Sequence, residues 1–228
     1  MKSVLQSRYL GCFSKMLDQS SNNEKLLQIK KRAAECIDCN LSKSRENVVF
    51  GSGDPNSKLA VIAEGPSAAD NHTSFPFSGP AGNMLDEVLA ANEITRAEIW
   101  LTNIIKCRAA DQHQNGLKNR PPKITEIKAC SKWLDNELTI IQPFVILCLG
   151  SPAAKTLIQS GFKITEERGI WYTDTRYSPF AIATYNPAYV LRQEGDDFMK
   201  LRSTIIDDIG KAKRKLSEAN EYKRTTLF

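Results

Sequence analysis

The sequence predicts an α/β fold, a three-layer α/β/α arrangement around a central four-stranded parallel sheet. Four nearly continuous apolar runs stand at 58–65 ("KLAVIAEG"), 98–107 ("EIWLTNIIKC"), 143–150 ("PFVILCLG") and 179–185 ("PFAIATY"), the pattern of strands covered on both faces. Helical stretches separate them, and alternation of strand and helix gives parallel pairing. The chain has 228 residues with 41% hydrophobic content, enough to bury one substantial core.

Residues 1–24 read as an N-terminal extension in which "SVLQSRYLGCFSKML" can form a short amphipathic helix. The domain proper is expected over 25–217. It opens with a helix at 24–35 that runs directly into Cys36-Ile37-Asp38-Cys39. Further helices are predicted at 82–92, 123–141 and 151–161, the last with Ser151 as N-cap and Gly161 as a stop. A basic helix follows at about 196–217, and 218–228 reads as a polar tail. Ligands of such sheets bind beyond the carboxyl ends of the strands. Those ends carry "AEGPSAAD", "TNIIKC", "CLGSPAA" and "ATYNPAY".

The formal net charge of +5 and a pI near 8.8 permit an anionic partner such as nucleic acid without requiring one. No charged-then-apolar leader opens the sequence, and no apolar run approaches the roughly 18–20 residues that span a bilayer. A cytoplasmic, monomeric protein with no membrane association is expected. Six cysteines are poorly explained by disulfides in a reducing compartment. Cys36 and Cys39 form a C-x-x-C whose sulfurs can reach one metal or cluster. Cys107 and Cys130 can join them in a compact fold, and four thiolates suit either zinc or an iron–sulfur cluster. The alternative is that these two are small buried residues, as Cys148 is expected to be.

Together, "CIDC", "GSGDPNSKLAVIAEGPSAAD", "FPFSGPAGNMLDEVL", "LTNIIKCR", "NRPP", "ACSKWL", "ILCLGSPAAKTL" and "ATYNPAYVLR" resemble the family 4 uracil-DNA glycosylases, the iron–sulfur branch of the uracil-DNA glycosylase superfamily. The resemblance runs from about 36 to 192 in family order. It implies a structural [4Fe-4S] cluster held by Cys36, Cys39, Cys107 and Cys130, with Cys12 and Cys148 outside it, and DNA as the partner. A glycosylase extrudes its nucleotide and holds the base between an aromatic face and hydrogen-bonding groups. The base leaves as an anion, so donors aimed at its oxygen lower the barrier.

In this resemblance Glu64 orients water or stabilises the cationic sugar, and Gly65 lets the backbone approach the base. Phe77 stacks on the extruded base, Asn103 reads its edge, and Asp70 lines the pocket. Gly79, Gly82 and Ser151 precede or open helices, where backbone N–H groups favour phosphate, and Arg192 adds charge for DNA.

Two departures bear on substrate. The family's second motif opens with histidine before proline, whereas here the residue is Asn186. An amide donates a hydrogen bond but carries no charge and transfers no proton at neutral pH. Mismatch-specific members of the superfamily are similar in having Asn-Pro there. The second departure is "AADQHQNGLK", a loop before Asn119-Arg120 whose His113 can replace the imidazole. Ser67, Ser74 and Phe75 are smaller differences beside the pocket.

The function expected is a monofunctional DNA glycosylase that excises uracil or a related deaminated base and initiates base excision repair. A variant is excision of a modified pyrimidine, such as a hypermodified phage cytosine, in antiviral defence. A second class is a catalytically weak DNA-binding module that kept the fold and the cluster.

Overall fold

The computed structural model describes residues 21–114 and 116–225. The expected N-terminal helix and Cys12 lie outside them. In chain order the elements are α1 (21–34), β1 (Ser52–Gly53), β2 (Leu59–Ala63), α2 (Ala68–Thr73), α3 (Pro80–Ala90), β3 (Trp100–Asn103), β4 (Ala110–His113), β5 (Gly116–Asn119), α4 (Ile124–Ile141), β6 (Val145–Leu149), α5 (Ser151–Leu157), α6 (Ile164–Glu167), β7 (Tyr172–Thr173), β8 (Phe180–Thr184), α7 (Pro187–Val190) and α8 (Gly195–Thr225).

Each apolar run contributes one strand, and the four pair in parallel in the order β3-β2-β6-β8. Two edge strands enlarge the expected sheet from four to six: β1 pairs antiparallel with β3, and β7 with β8. Each is only two residues long and carries no apolar run of its own, so no periodicity announced it.

The strands are apolar throughout because successive side chains enter different cores. Ala60, Ile62, Ile146, Cys148, Ala181 and Ala183 pack on one face with Leu134, Leu138 and Leu157. Val61, Leu101, Val145, Leu147, Leu149 and Ile182 pack on the other with Leu85, Val88, Ile205 and Ile209. Helices therefore cover both faces, as expected.

Three local expectations change. The segment after Cys107 is a hairpin, β4 with β5, tied down by Arg108 to Asn119 (2.7 Å) and by Arg120 to Asp111 (2.9 Å). Gly150, at φ +89°, precedes α5 as its N-cap, and Ser151 is the first helical residue. Helix α8 runs on through Thr225, so residues 218–225 are helical rather than a tail. Among the described residues no helix is long and apolar enough to cross a membrane.

Candidate active site

Four parallel strands end side by side, and residues that leave three of them, β2, β6 and β8, line one cleft. In the register of β2 with β3, Ala63 lies opposite Asn103, so Glu64 is the first residue beyond that pair. Strand β6 pairs Leu149 with Thr184 of β8. Gly150 and Asn186 follow within two residues. Glu64, Gly150, Ser151, Asn186 and Arg192 share a cleft of about 350 Å³ with Tyr185 and Tyr189.

Glu64 is half-buried, and burial raises its carboxyl above the ordinary value while the positive charge of Arg192 opposes the rise. A carboxylate held partly out of water in a cleft is a functional-site signature. Gly65 beside it has a packing reason as well, since a Cβ would meet Ile105 Cγ1 at 2.8 Å.

Asn186 is the N-cap of α7. Its Oδ1 accepts from the Ala188 N–H at 2.9 Å, which fixes the orientation of the amide. Nδ2 is left as the donor end, with one long bond of 3.4 Å to the Leu149 carbonyl. Gly150 permits this, because a Cβ there would lie 3.1 Å from Asn186 Cβ.

Asn103 is 1% exposed, and among the described residues neither Nδ2 nor Oδ1 has a hydrogen-bond partner. A buried amide with both polar atoms unpaired costs free energy unless a ligand satisfies it.

Phe77 is buried in the apolar cluster that includes Ala63, Leu149 and Val190. Its φ of +58° is left-handed, a conformation that costs a non-glycine residue about 1–3 kcal/mol and persists only where its surroundings impose it. Arg96, which sequence reasoning missed, imposes it. Its guanidinium donates to the carbonyls of Phe77 (2.8 Å), Pro76 (3.2 Å) and Gly82 (3.2 Å) while pairing with Asp86. Gly82 is required here, since a Cβ would sit 1.8 Å from the Phe77 carbonyl oxygen. Its own N–H already donates to Gly79 at 2.7 Å, so the expected phosphate contact by Gly82 loses its donor. Gly79 is the N-cap of α3.

Arg96→Met should lower stability by about 1.5–3 kcal/mol through lost charged hydrogen bonds. It should also raise KM more than it lowers kcat, because the Phe77 loop loses its hold. Thermal unfolding and steady-state kinetics check both.

Asp70 has a different task from the pocket-lining one expected. Its carboxylate accepts from Ser67 N–H (2.9 Å) and Ser78 N–H (2.7 Å), closing a capping box on α2 and pinning the loop that carries Phe77. Ser67 is the reciprocal cap. Ser74, at φ +66°, occupies a left-handed position that glycine fills more readily.

His113 ends β4, exposed, and does not line the cleft. It therefore supplies no imidazole beside Asn186. Two further groups do stand there. Tyr185 and Tyr189 stack at 5.9 Å and 28°, with Arg168 over Tyr185 and Arg192 over Tyr189. Their spacing in "YNPAY", four residues apart at a helix start, was the signal in the sequence.

The four expected cysteines converge. Cys36, Cys39, Cys107 and Cys130 line one small pocket with Arg45 and Lys106. Arg45 donates to Cys107 Sγ (3.6 Å), and the Lys106 N–H donates to Cys130 Sγ (3.2 Å). Burial raises the thiols of Cys107 and Cys130, the latter to about 12. Four thiols lining one pocket, two of them with donors to their sulfurs, suit an anionic thiolate-bound group. Among the described residues no three histidine, cysteine or acidic side chains stand close enough to grip a single metal ion.

The fold and this cleft define a class of protein. The chain belongs to the uracil DNA glycosylase superfamily, whose profile matches residues 50–210. Within it the chain is similar to the type-4 uracil-DNA glycosylase of Thermotoga maritima, 33% identical over 195 residues, covering 83% of this chain and 94% of that one. The type-4 uracil-DNA glycosylase of Archaeoglobus fulgidus is 31% identical over 211 residues, covering 90% and 98%. That of Sulfurisphaera tokodaii is 30% identical over 198 residues, covering 80% and 86%.

Proposed function

We propose that this protein is a monofunctional DNA glycosylase that excises uracil, or a closely related deaminated base, and so initiates base excision repair. The observation that carries the reading is Asn103, a buried amide with one donor and one acceptor unpaired, on the strand end beside Glu64. Uracil offers the complement, an acceptor oxygen and an N–H on one edge.

In the reaction the N-glycosidic bond breaks with its electron pair leaving on the base. Water then adds to the sugar carbon and gives up a proton. Glu64 as carboxylate stabilises the cationic sugar and orients that water. The Asn186 N–H donates to the base oxygen on which negative charge collects. Phe77 stacks on the extruded ring, and Gly79, Ser151 and Arg192 contact the DNA backbone.

Cys36, Cys39, Cys107 and Cys130 would hold a [4Fe-4S] cluster. A zinc ion would draw its sulfurs to about 2.3 Å from one centre, whereas a cluster's thiolates bind separate irons. Its contribution would be structural, because these cysteines join the segment after α1 to the segment after β3 and to α4, and the base chemistry needs no electron transfer.

The test is incubation of the protein with duplexes carrying uracil, hypoxanthine, a thymine mismatch or a modified cytosine, followed by cleavage of abasic sites. Uracil release is expected. Release from none of the four would overturn the enzyme reading, and release of modified cytosine alone would move the substrate to the antiviral class.

The rate should also depend on pH through Glu64 on the acid side, since it is the titratable carboxyl that lines the cleft and, among the described residues, no imidazole does. Glu64 must be ionised to act, and burial holds it above its usual range. Activity should therefore fall, as pH drops, at a value above that of a solvated glutamate. Arg192→Gln removes the charge that opposes the rise and should shift this limb of kcat/KM further up.

A further inference from the structure

We propose that Lys106 is a positioning residue for base recognition: with Glu137 it forms a buried strut that fixes Asn103 in place and ties it to the cysteine site. The inference rests on the reading of Asn103 as the base-recognising residue.

Lys106 and Glu137 are 1% and 0% exposed, and they pair at 2.8 Å. The three donors of Lys106 Nζ reach Glu137 Oε2 (2.8 Å), Thr102 Oγ1 (2.7 Å) and the backbone carbonyl of Asn103 (2.8 Å). Glu137 Oε2 also accepts from Thr102 Oγ1 (2.7 Å), and Oε1 accepts from the Gly51 N–H (2.9 Å). The network is saturated and wholly internal. Apolar residues of similar volume often replace a buried ion pair at no cost, so such a pair is weak evidence for a role in stability.

Its placement shows what it can do. The Asn103 side chain has no partner of its own among the described residues, so no hydrogen bond holds the amide in its reading orientation. Only the backbone positions it, and β3 ends at this residue. The N–H groups of Ile104 and Ile105 still donate to the carbonyls of Ala63 (2.9 Å) and Glu64 (3.4 Å) beyond it, and the Lys106 ammonium adds the hold on the Asn103 carbonyl itself. The Lys106 N–H donates to Cys130 Sγ (3.2 Å), and its neighbour is Cys107. Cys130 and Glu137 lie two turns apart on the buried side of α4. One lysine and one helix thus join the base reader to two of the four cysteines.

The test uses Lys106→Met/Glu137→Gln, which removes both charges together and leaves an amide able to serve Gly51 and Thr102. Thr102→Val, which removes two bonds of the strut but leaves Lys106 and Glu137 paired, is the milder companion, and Asn103→Ala is the control. Thermal unfolding and the visible spectrum of the iron-loaded protein report fold and cysteine site. Kinetics on a uracil duplex and inhibition by free uracil report positioning.

The double variant is expected to keep its unfolding temperature and spectrum, to lose about 10²-fold in kcat/KM, as for a misplacement near 1 Å, and to be inhibited more weakly by free uracil. Thr102→Val should show a smaller loss in the same direction, and it decides the matter alone if the double variant does not fold. Parental kinetics and uracil inhibition in the folded strut variants, with Asn103→Ala impaired, overturn the strut and leave the reading of Asn103 standing. Parental activity in Asn103→Ala overturns both.

Discussion

Glu64→Gln is expected to lower kcat on a uracil duplex by about 10²–10⁴-fold, the range for loss of a positioned acid–base group, with KM little changed. Glutamine keeps the size of the side chain, and so the cleft it shares with Tyr185, Asn186 and Arg192, but it cannot stabilise a cationic sugar by charge. The variant should also be at least as stable as the parent at neutral pH. Burial raises the Glu64 carboxyl, so the folded state favours its protonated form. The parent therefore loses stability as pH climbs from the unfolded carboxylate value through the raised folded one. Glutamine is neutral throughout and removes that slope, while Arg192 is left without an acidic neighbour in the cleft. Unfolding temperature against pH and single-turnover excision measure the two effects separately. A variant that excises at the parental rate would remove Glu64 from the chemistry.

The sequence made the sheet core legible because four runs such as "VILCLG" are nearly continuous apolar stretches, the pattern of a strand buried on both faces. It also located the ends of β2, β6 and β8 to within two residues, and with them Glu64 and Asn186, whereas β3 ends at Asn103, four residues before the expected end at Cys107. The two edge strands were not legible, since Ser52–Gly53 and Tyr172–Thr173 are set by pairing to a neighbour and not by local composition. The hairpin after Cys107 was hidden for a related reason. "ADQH" and "GLKN" are mostly exposed on both faces, so neither alternates, and two arginines outside the strands hold the turn.

The roles of Asp70, Arg96 and Lys106 depend on which backbone atoms lie within reach, a three-dimensional fact. A lysine inside "TNIIKC" was the one visible anomaly, because a charge within an apolar run must find a partner. That partner, Glu137, is thirty-one positions away on α4, and no local pattern links them.

Asn186 yields the second large effect, through variants that separate its two jobs. Its oxygen caps α7, and in the proposed reaction its N–H donates to the leaving base. Asn186→Ala loses both, and should cost about 1 kcal/mol of stability from the missing cap and about 10²–10³ in kcat from the missing donor. Asn186→Asp keeps the cap, since aspartate is as good an N-cap residue as asparagine, but turns an acceptor and a negative charge toward an oxygen that is itself becoming negative. Its unfolding temperature should stay near the parent's while kcat falls further than in the alanine variant. Asn186→His reverses the pattern: the capping oxygen goes, so stability drops by about 1 kcal/mol, while a donor able to carry positive charge should raise kcat and add a second limb to the pH profile in the imidazole range. If alanine and aspartate both excise uracil at the parental rate while only alanine melts early, the asparagine is a helix cap alone, and the leaving base is stabilised by some other donor.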